Sequence, residues 1–125
     1  MKIFLQRELK EAYAHAAAGG QALHICDARA FVTESAPACF RRSQKFAHLL
    51  DQDCARLVAS AKKFGVRVIE VEAAGTHRQH VDLCGKPLLR AINQADRMRE
   101  AEKRRASEVL RPMDLESALS QGGSK

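Results

Sequence analysis

Two histidines and an aspartate in the stretch GTHRQHVDLCGKPLLRAI, residues 75–92, are the side chains in this chain best suited to chemistry. His77, His80 and Asp82 follow an H-x-x-H-x-D spacing, with Thr76 and Arg78 beside His77. Imidazole titrates near neutral pH, so His80 can act as general acid or base, oriented by Asp82 and partnered by His77. Neutral imidazole and carboxylate are equally a donor set for Zn, Mn, Fe or Ni. One divalent ion held by His77, His80, Asp82 and Asp27 is the cofactor this chemistry would use. The spacing is less specific than H-E-x-x-H on a helix, because a loop does not fix which side chains converge.

Either chemistry needs further groups around one cleft. His48 and Asp27 are the candidates to join the cluster, and Arg41, Arg42, Lys86 or Arg90 would clamp a phosphate while an ion activates water. Thr76 and Arg78 complete the candidate ligand-binding set. This describes a small hydrolase of nucleic acid or nucleotide phosphoesters. A second class is a module that binds nucleic acid or a phosphorylated small molecule without turnover. There His77, Arg78 and His80 touch phosphate, and Asp82 caps the helix that follows. In a third, structural reading the histidines only bond backbone groups of the loop.

The segments LHICD (residues 23–27), AHLLDQD (47–53), KKFGVRVIEV (62–71), GTHRQHVDL and KPLLRAI occur in that order. Over residues 22–93 they resemble domain-of-unknown-function family 4031, a family of small bacterial and phage proteins with a GTHxxHxD-type loop. The resemblance implies a strand ending in acidic residues, a second segment carrying His48, a helix, a strand, the histidine loop and another helix. It implies no established activity. Where the family often has two acidic residues after the first strand, this chain has Cys26 and then Asp27, which removes one metal ligand. A further family strand is replaced here by RMREAEKRRASEVLR.

The elements that must position these residues follow from periodicity. Leu5, Leu9, Ala12, Tyr13 and Ala16 share a helical face that Gly19-Gly20 ends. Residues 22–26 read as a strand with Leu23 and Ile25 on one face, and Asp27 lies at its C-terminal end, where open α/β sheets place ligands. Residues 28–45 show neither period and read as a long loop whose basic residues, Arg29, Arg41, Arg42 and Lys45, flank Phe40. Residues 46–50 suit a short strand presenting His48. Apolar spacing from Leu50 to Phe64 predicts a helix near 53–64, capped by Asp51 or Asp53 and stopped by Gly65. The β-branched run 66–71 reads as an interior strand beside 22–26. Pro87 opens a helix bearing Leu88, Leu89 and Ile92. The expected architecture is therefore α/β: a small, mainly parallel sheet covered by helices, with additional N- and C-terminal helices. Residues 1–20 would be a helical appendage, 21–96 the core domain, 97–112 a charged helix suited to homo-oligomerisation, and 113–125 a mostly disordered tail.

At 125 residues the chain suffices for one modest core. Four cysteines without a C-x-x-C pair argue against a structural zinc site. The absence of a secretory or membrane-spanning apolar run predicts reduced thiols, a cytoplasmic location and no membrane partner. A formal charge of +6 favours acidic partners. If those charges serve nucleic acid, affinity for an arbitrary oligonucleotide should fall steeply with salt. R41A/R42A should then flatten the log–log slope by roughly 0.9 for each phosphate that is no longer neutralised. No binding at low salt would remove nucleic acid from consideration.

Overall fold

A computed structural model of the chain describes residues 1–27 and 45–110. Strand β1 (Lys2–Phe4) leads through a 3-10 turn at Gln6–Glu8 into helix α1 (Leu9–Ala17). Strands β2 (Gln21–Asp27) and β3 (Lys45–Asp51) follow, then α2 (Cys54–Lys63), β4 (His80–Leu83) and α3 (Gly85–Leu110). The expected loop at 28–45, with Arg41 and Arg42, and the expected tail at 113–125 lie outside the described residues, apart from Lys45 at the start of β3.

The sheet is mixed and mostly antiparallel, in the order β1-β2-β3-β4. Only β1 and β2 are parallel; β2–β3 and β3–β4 are antiparallel. This corrects the expectation of a mainly parallel sheet with 66–71 beside 22–26. The β-branched run is not a strand: Val66, Ile69 and Val71 pack against the core from the side, and Val68 is 76% exposed. Partly buried positions spaced three and then two apart cannot share one face of a pleated strand. The run instead carries the chain across the molecule once more, and the turn at 73–79 returns it. Glu72 and His80 close that return with two backbone hydrogen bonds of 2.8 and 3.1 Å. The extra traverse makes β4 antiparallel to β3, although a helix lies between them in sequence.

Strand alternation sorts the sheet into two faces. Leu23, Ala47, Leu49, Val81 and Leu83 point to one, where Leu57, Ala61 and Phe64 of α2 and Leu88 and Ala91 of α3 complete the main core. The other face is divided. One half, Phe4, Ala22 and Leu50, is sealed by Ala12 and Ala16 of α1, small residues that let the helix approach closely. The other half bears His24, Cys26, Phe46, His48, His80 and Asp82. The N-terminal helix is thus part of the core and follows a strand, which corrects its reading as an appendage. The additional C-terminal helix is likewise corrected: residues 97–110 continue the helix begun at Gly85. By compactness the chain divides into Met1–Ala95 and Asp96–Lys125. Within the second unit Arg99 pairs with Asp96 at 3.3 Å.

Local chemistry fixes the ends of α2. Asp53 accepts the Arg56 N–H at 3.1 Å as its N-cap. Gly65, at φ +93°, ends the helix in the left-handed region, and a Cβ there would run into the Arg90 guanidinium. Arg90 donates to the Phe64 carbonyl at 3.1 Å. Among the described cysteines, Cys26 and Cys54 are free thiols, whereas Cys84 is disulfide-bonded, which corrects the expectation of wholly reduced thiols. No helix among the described residues is long and apolar enough to cross a membrane.

Asp51 is not a cap but a fully buried carboxylate held by Arg56 Nε at 2.6 Å and Nη2 at 2.7 Å. Arg56→Ala should leave that charge underpaired and cost about 2–3 kcal/mol, a value tempered by the half-exposed arginine. Urea unfolding measures it; a loss too small to detect would show that the pair acts as a surface ion pair.

Candidate functional site

The half of the second face that α1 does not seal owes its composition to register. His24 pairs with His48, and His48 pairs with Asp82, across three adjacent strands. Leu50 pairs with His80, which places His80 and Asp82 two residues apart on the same face of β4. A row of imidazoles and a carboxylate therefore crosses the sheet. The His24 and His48 rings lie nearly parallel with centroids 5.8 Å apart, and His48 meets His80 edge-on at 4.7 Å. Phe46 abuts His48 at 5.2 Å.

Asp82 is the hub. Its Oδ1 accepts from His48 Nδ1 at 2.7 Å and lies 3.3 Å from His80 Nε2. Glu72 Oε2 lies 3.0 Å from the same His80 nitrogen. The other ring nitrogen, Nδ1, is 2.6 Å from the Arg78 carbonyl. A carbonyl only accepts, so Nδ1 carries a proton. Nε2 then faces two carboxylates, and that arrangement requires a cation: either a second proton, making His80 an imidazolium, or a metal ion. Burial opposes charge on His80, but the bonds to Asp82 and the Arg78 carbonyl and the charges of Asp82 and Glu72 outweigh it, raising its pKa above 6.5. Burial also opposes the Asp82 carboxylate; hydrogen bonds from His48 and His80, with their charges, overcome this and hold the group well below the usual carboxylate range. Side-chain exposures of 26% for His48, 16% for His80 and 29% for Asp82 leave the cluster within reach of solvent.

Beside it, His24 is buried and its Nε2 lies 3.2 Å from the Gln6 carbonyl. Its Nδ1 lies 3.2 Å from Cys26 Sγ. Burial, aided by the Asp82 charge, pushes the Cys26 thiol up to about 11. Burial also lowers the His24 pKa; the Gln6 carbonyl opposes this and His48 adds to it.

Among the described residues, two sets of donor atoms are thus close enough to hold an ion: His48, His80 and Asp82, and His24, Cys26 and His48. The structure brings together His48, His80 and Asp82 from the sequence candidates. It leaves the others apart. His77 is exposed and packs edge-on against Tyr13 of α1, ring centroids 5.7 Å apart, so it partners neither His80 nor a shared ion. Arg78 lies over the same Tyr13 ring at 5.6 Å. Thr76 braces the turn: its Oγ1 donates to the Ala73 carbonyl at 2.7 Å and accepts from Arg78 N–H at 3.1 Å. Asp27 follows Cys26 by one residue and falls on the opposite face of β2, exposed at its end. Lys86 and Arg90 belong to α3, which covers the opposite face of the sheet. His24, Cys26 and Glu72 were missed from sequence. The signal for the first two was present: a strand that buries Leu23 and Ile25 must turn His24 and Cys26 the other way.

No protein-family model matches the chain, and comparisons with curated proteins and with solved structures find no match.

The two shifted groups of the hub give opposite pH dependences in metal-free protein. His80, raised, contributes stability that is full below about pH 6.5 and lost as pH rises through its folded value. Asp82, lowered, contributes stability that is present above about pH 3.8 and lost as pH falls through its folded value. NMR titration should therefore place the His80 midpoint above 6.5, and H80Q should flatten the alkaline fall in melting temperature. A midpoint below 6.5 would contradict the two-carboxylate environment.

Proposed function

We propose that this protein is a small hydrolase of nucleic acid or nucleotide phosphoesters whose centre is the His48–Asp82–His80 cluster, with one divalent metal ion as cofactor. The observation that carries the reading is the environment of His80 Nε2, a ring nitrogen facing two carboxylates at 3.0 and 3.3 Å. A divalent ion satisfies that requirement as well as a proton does. The two spacings to Asp82, 2.7 and 3.3 Å, are close to the roughly 3.0–3.4 Å between two donors about 2.1 Å from one ion, and all three donors lie within 4.8 Å of one another. When bound, the ion would acidify water and screen phosphate charge. Asp82 orients both imidazoles, the Arg78 carbonyl fixes the tautomer of His80, and Glu72 adds the negative charge that favours a cation. When no ion is bound, His80 holds a proton at Nε2 that it can give to a leaving oxygen.

One observation favours a second reading, a binding module without turnover. Lys86 and Arg90 stand on the helix of the opposite face and Arg90 is occupied by the Phe64 carbonyl, so neither completes a phosphate clamp at the cluster.

The test is hydrolysis of an activated phosphodiester and of a short oligonucleotide, with Zn²⁺, Mn²⁺ or Ni²⁺ and after chelation. Metal-dependent turnover should fall by about 100-fold or more in H80A and D82N, and their double variant should be little worse than either single. Turnover that survives chelation assigns the chemistry to His80 as general acid. Nucleotide binding without turnover supports the binding module, and neither binding nor turnover overturns both.

A further inference from the structure

The histidine–cysteine pair on β2 takes no part in hydrolysis or in phosphate binding by the His80 cluster. Its geometry is that of a ligand set suited to a soft metal. The Gln6 carbonyl can only accept, so His24 donates through Nε2–H at 3.2 Å. That bond fixes the tautomer and leaves the Nδ1 lone pair directed at Cys26 Sγ, 3.2 Å away. A metal-binding histidine is commonly oriented in this way, its second nitrogen donating to a carbonyl. His48 is held likewise, with Nδ1–H donated to Asp82 at 2.7 Å, so its Nε2 carries a lone pair. One donor atom from each of His24, Cys26 and His48 lies within 4.8 Å of the others.

We propose that Cys26, His24 and His48 bind a single thiophilic cation, Zn²⁺ or Cu⁺, with Asp82 orienting the shared His48. Sulfur and nitrogen on one tetrahedral ion are roughly 3.5 Å apart, from bonds of about 2.3 and 2.05 Å. The present 3.2 Å has only to open by a few tenths of an ångström. As the Sγ–metal bond forms, the Cys26 proton is displaced to solvent, so thiol and metal ion give thiolate complex and a released proton. Softness decides which ion enters. His24 and Cys26 are buried and Phe46 adds an apolar wall. A hard ion that keeps its water gains little there, whereas thiolate and imidazole together select Zn²⁺ or Cu⁺. Three protein donors leave a fourth position open. Because His48 serves both ligand sets, filling this one withdraws it from the His80–Asp82 set; the site itself stands on geometry that does not depend on the hydrolase reading.

The test uses the full chain in a C54S background, which removes the exposed free thiol. Titration with Co²⁺ should give one equivalent of binding with a thiolate-to-cobalt charge-transfer band in the near ultraviolet. C26S should abolish the band, H24Q and D82N should weaken binding by roughly 10-fold or more, and H80A should leave the band in place. A band that survives C26S, or cobalt bound without one, overturns the proposal; the latter puts the ion in the His80–Asp82 set. Should C26S lower the melting temperature enough to confuse the comparison, X-ray absorption of the Zn²⁺-loaded protein decides. One sulfur at about 2.3 Å supports the site, and a shell of nitrogen and oxygen alone refutes it. Failure here leaves the phosphodiester assay unaffected, since that assay reads H80A and H80A does not touch this pair.

Discussion

A buried carboxylate, Asp51, fixes the geometry on which everything else depends. An ionised carboxylate out of water is tolerated only if its oxygens are fully engaged. Asp51 meets that demand by drawing three separated parts of the chain to the end of β3. Arg56 reaches it from the first turns of α2 and also donates to the Gly19 carbonyl at 2.9 Å, tying down the turn before β2. Gln21 donates to it at 3.0 Å and to Ser60 at 2.9 Å, and the Asp53 N–H adds a bond of 2.9 Å. The Asp51 backbone carbonyl accepts from the Gln79 side chain at 2.8 Å, fixing the loop from which β4 starts. Strand register is therefore pinned at one end of the sheet. That matters for chemistry, because a slip of one residue would turn His48 into the apolar core and Leu49 out to the cluster.

The same sheet shows how a small protein makes room for polar side chains. Helices α2 and α3 pack on one face, but α1 is short and rich in alanine and seals only half of the other. The other half is where His48, His80 and Asp82 keep partial exposure, beside the buried His24, Cys26 and Phe46. Its members come from three paired strands, so their spacing is set by the ladder and not by loop conformation. Such groups need little reorganisation to meet a cation. The loop 73–79 serves the site indirectly. Ala73, at φ 51°, and Gly75 make the reversal, Thr76 stitches it, and Gln79 anchors it to Asp51. What that loop delivers is the position of His80.

Where the sequence was legible, a local period or a cap made it so. β2, the His48 strand and α2 could all be read from apolar spacing and from Asp53 and Gly65. β4 could not, because HVDL is four residues long and half of them are polar, while the more persuasive β-branched run 66–71 packs Val66, Ile69 and Val71 against the core at a spacing that no single strand face allows. The same limit explains the site. His77 and His80 are three apart, a spacing that makes neighbours on a helix but not where a turn enters a strand. Residues two apart share a face there, so His80 keeps Asp82 and loses His77 to Tyr13. Asp27 and Cys26 illustrate the rule in reverse. The acidic residue drew attention by its chemistry, yet the pleat gives the inner position to the cysteine. Neither the partner of His24 nor the reach of Glu72 could be found without knowing that β2, β3 and β4 are adjacent.

His48 ends up between two environments of different character. On one side Asp82, shared with His80 and near Glu72, offers oxygen and nitrogen donors in partial contact with solvent. On the other, His24 and Cys26 offer nitrogen and sulfur at buried positions. The hydrogen bond from His48 Nδ1 to Asp82 couples the two. While it stands, Asp82 fixes the His48 tautomer whose opposite nitrogen can take a ligand; an ion that takes Asp82 and Nδ1 for itself breaks that support. The two ligand sets are thus antagonistic by construction. On the two proposed readings, which one fills would depend on the softness of the available ion rather than on any movement of the sheet, whose register Asp51 holds fixed.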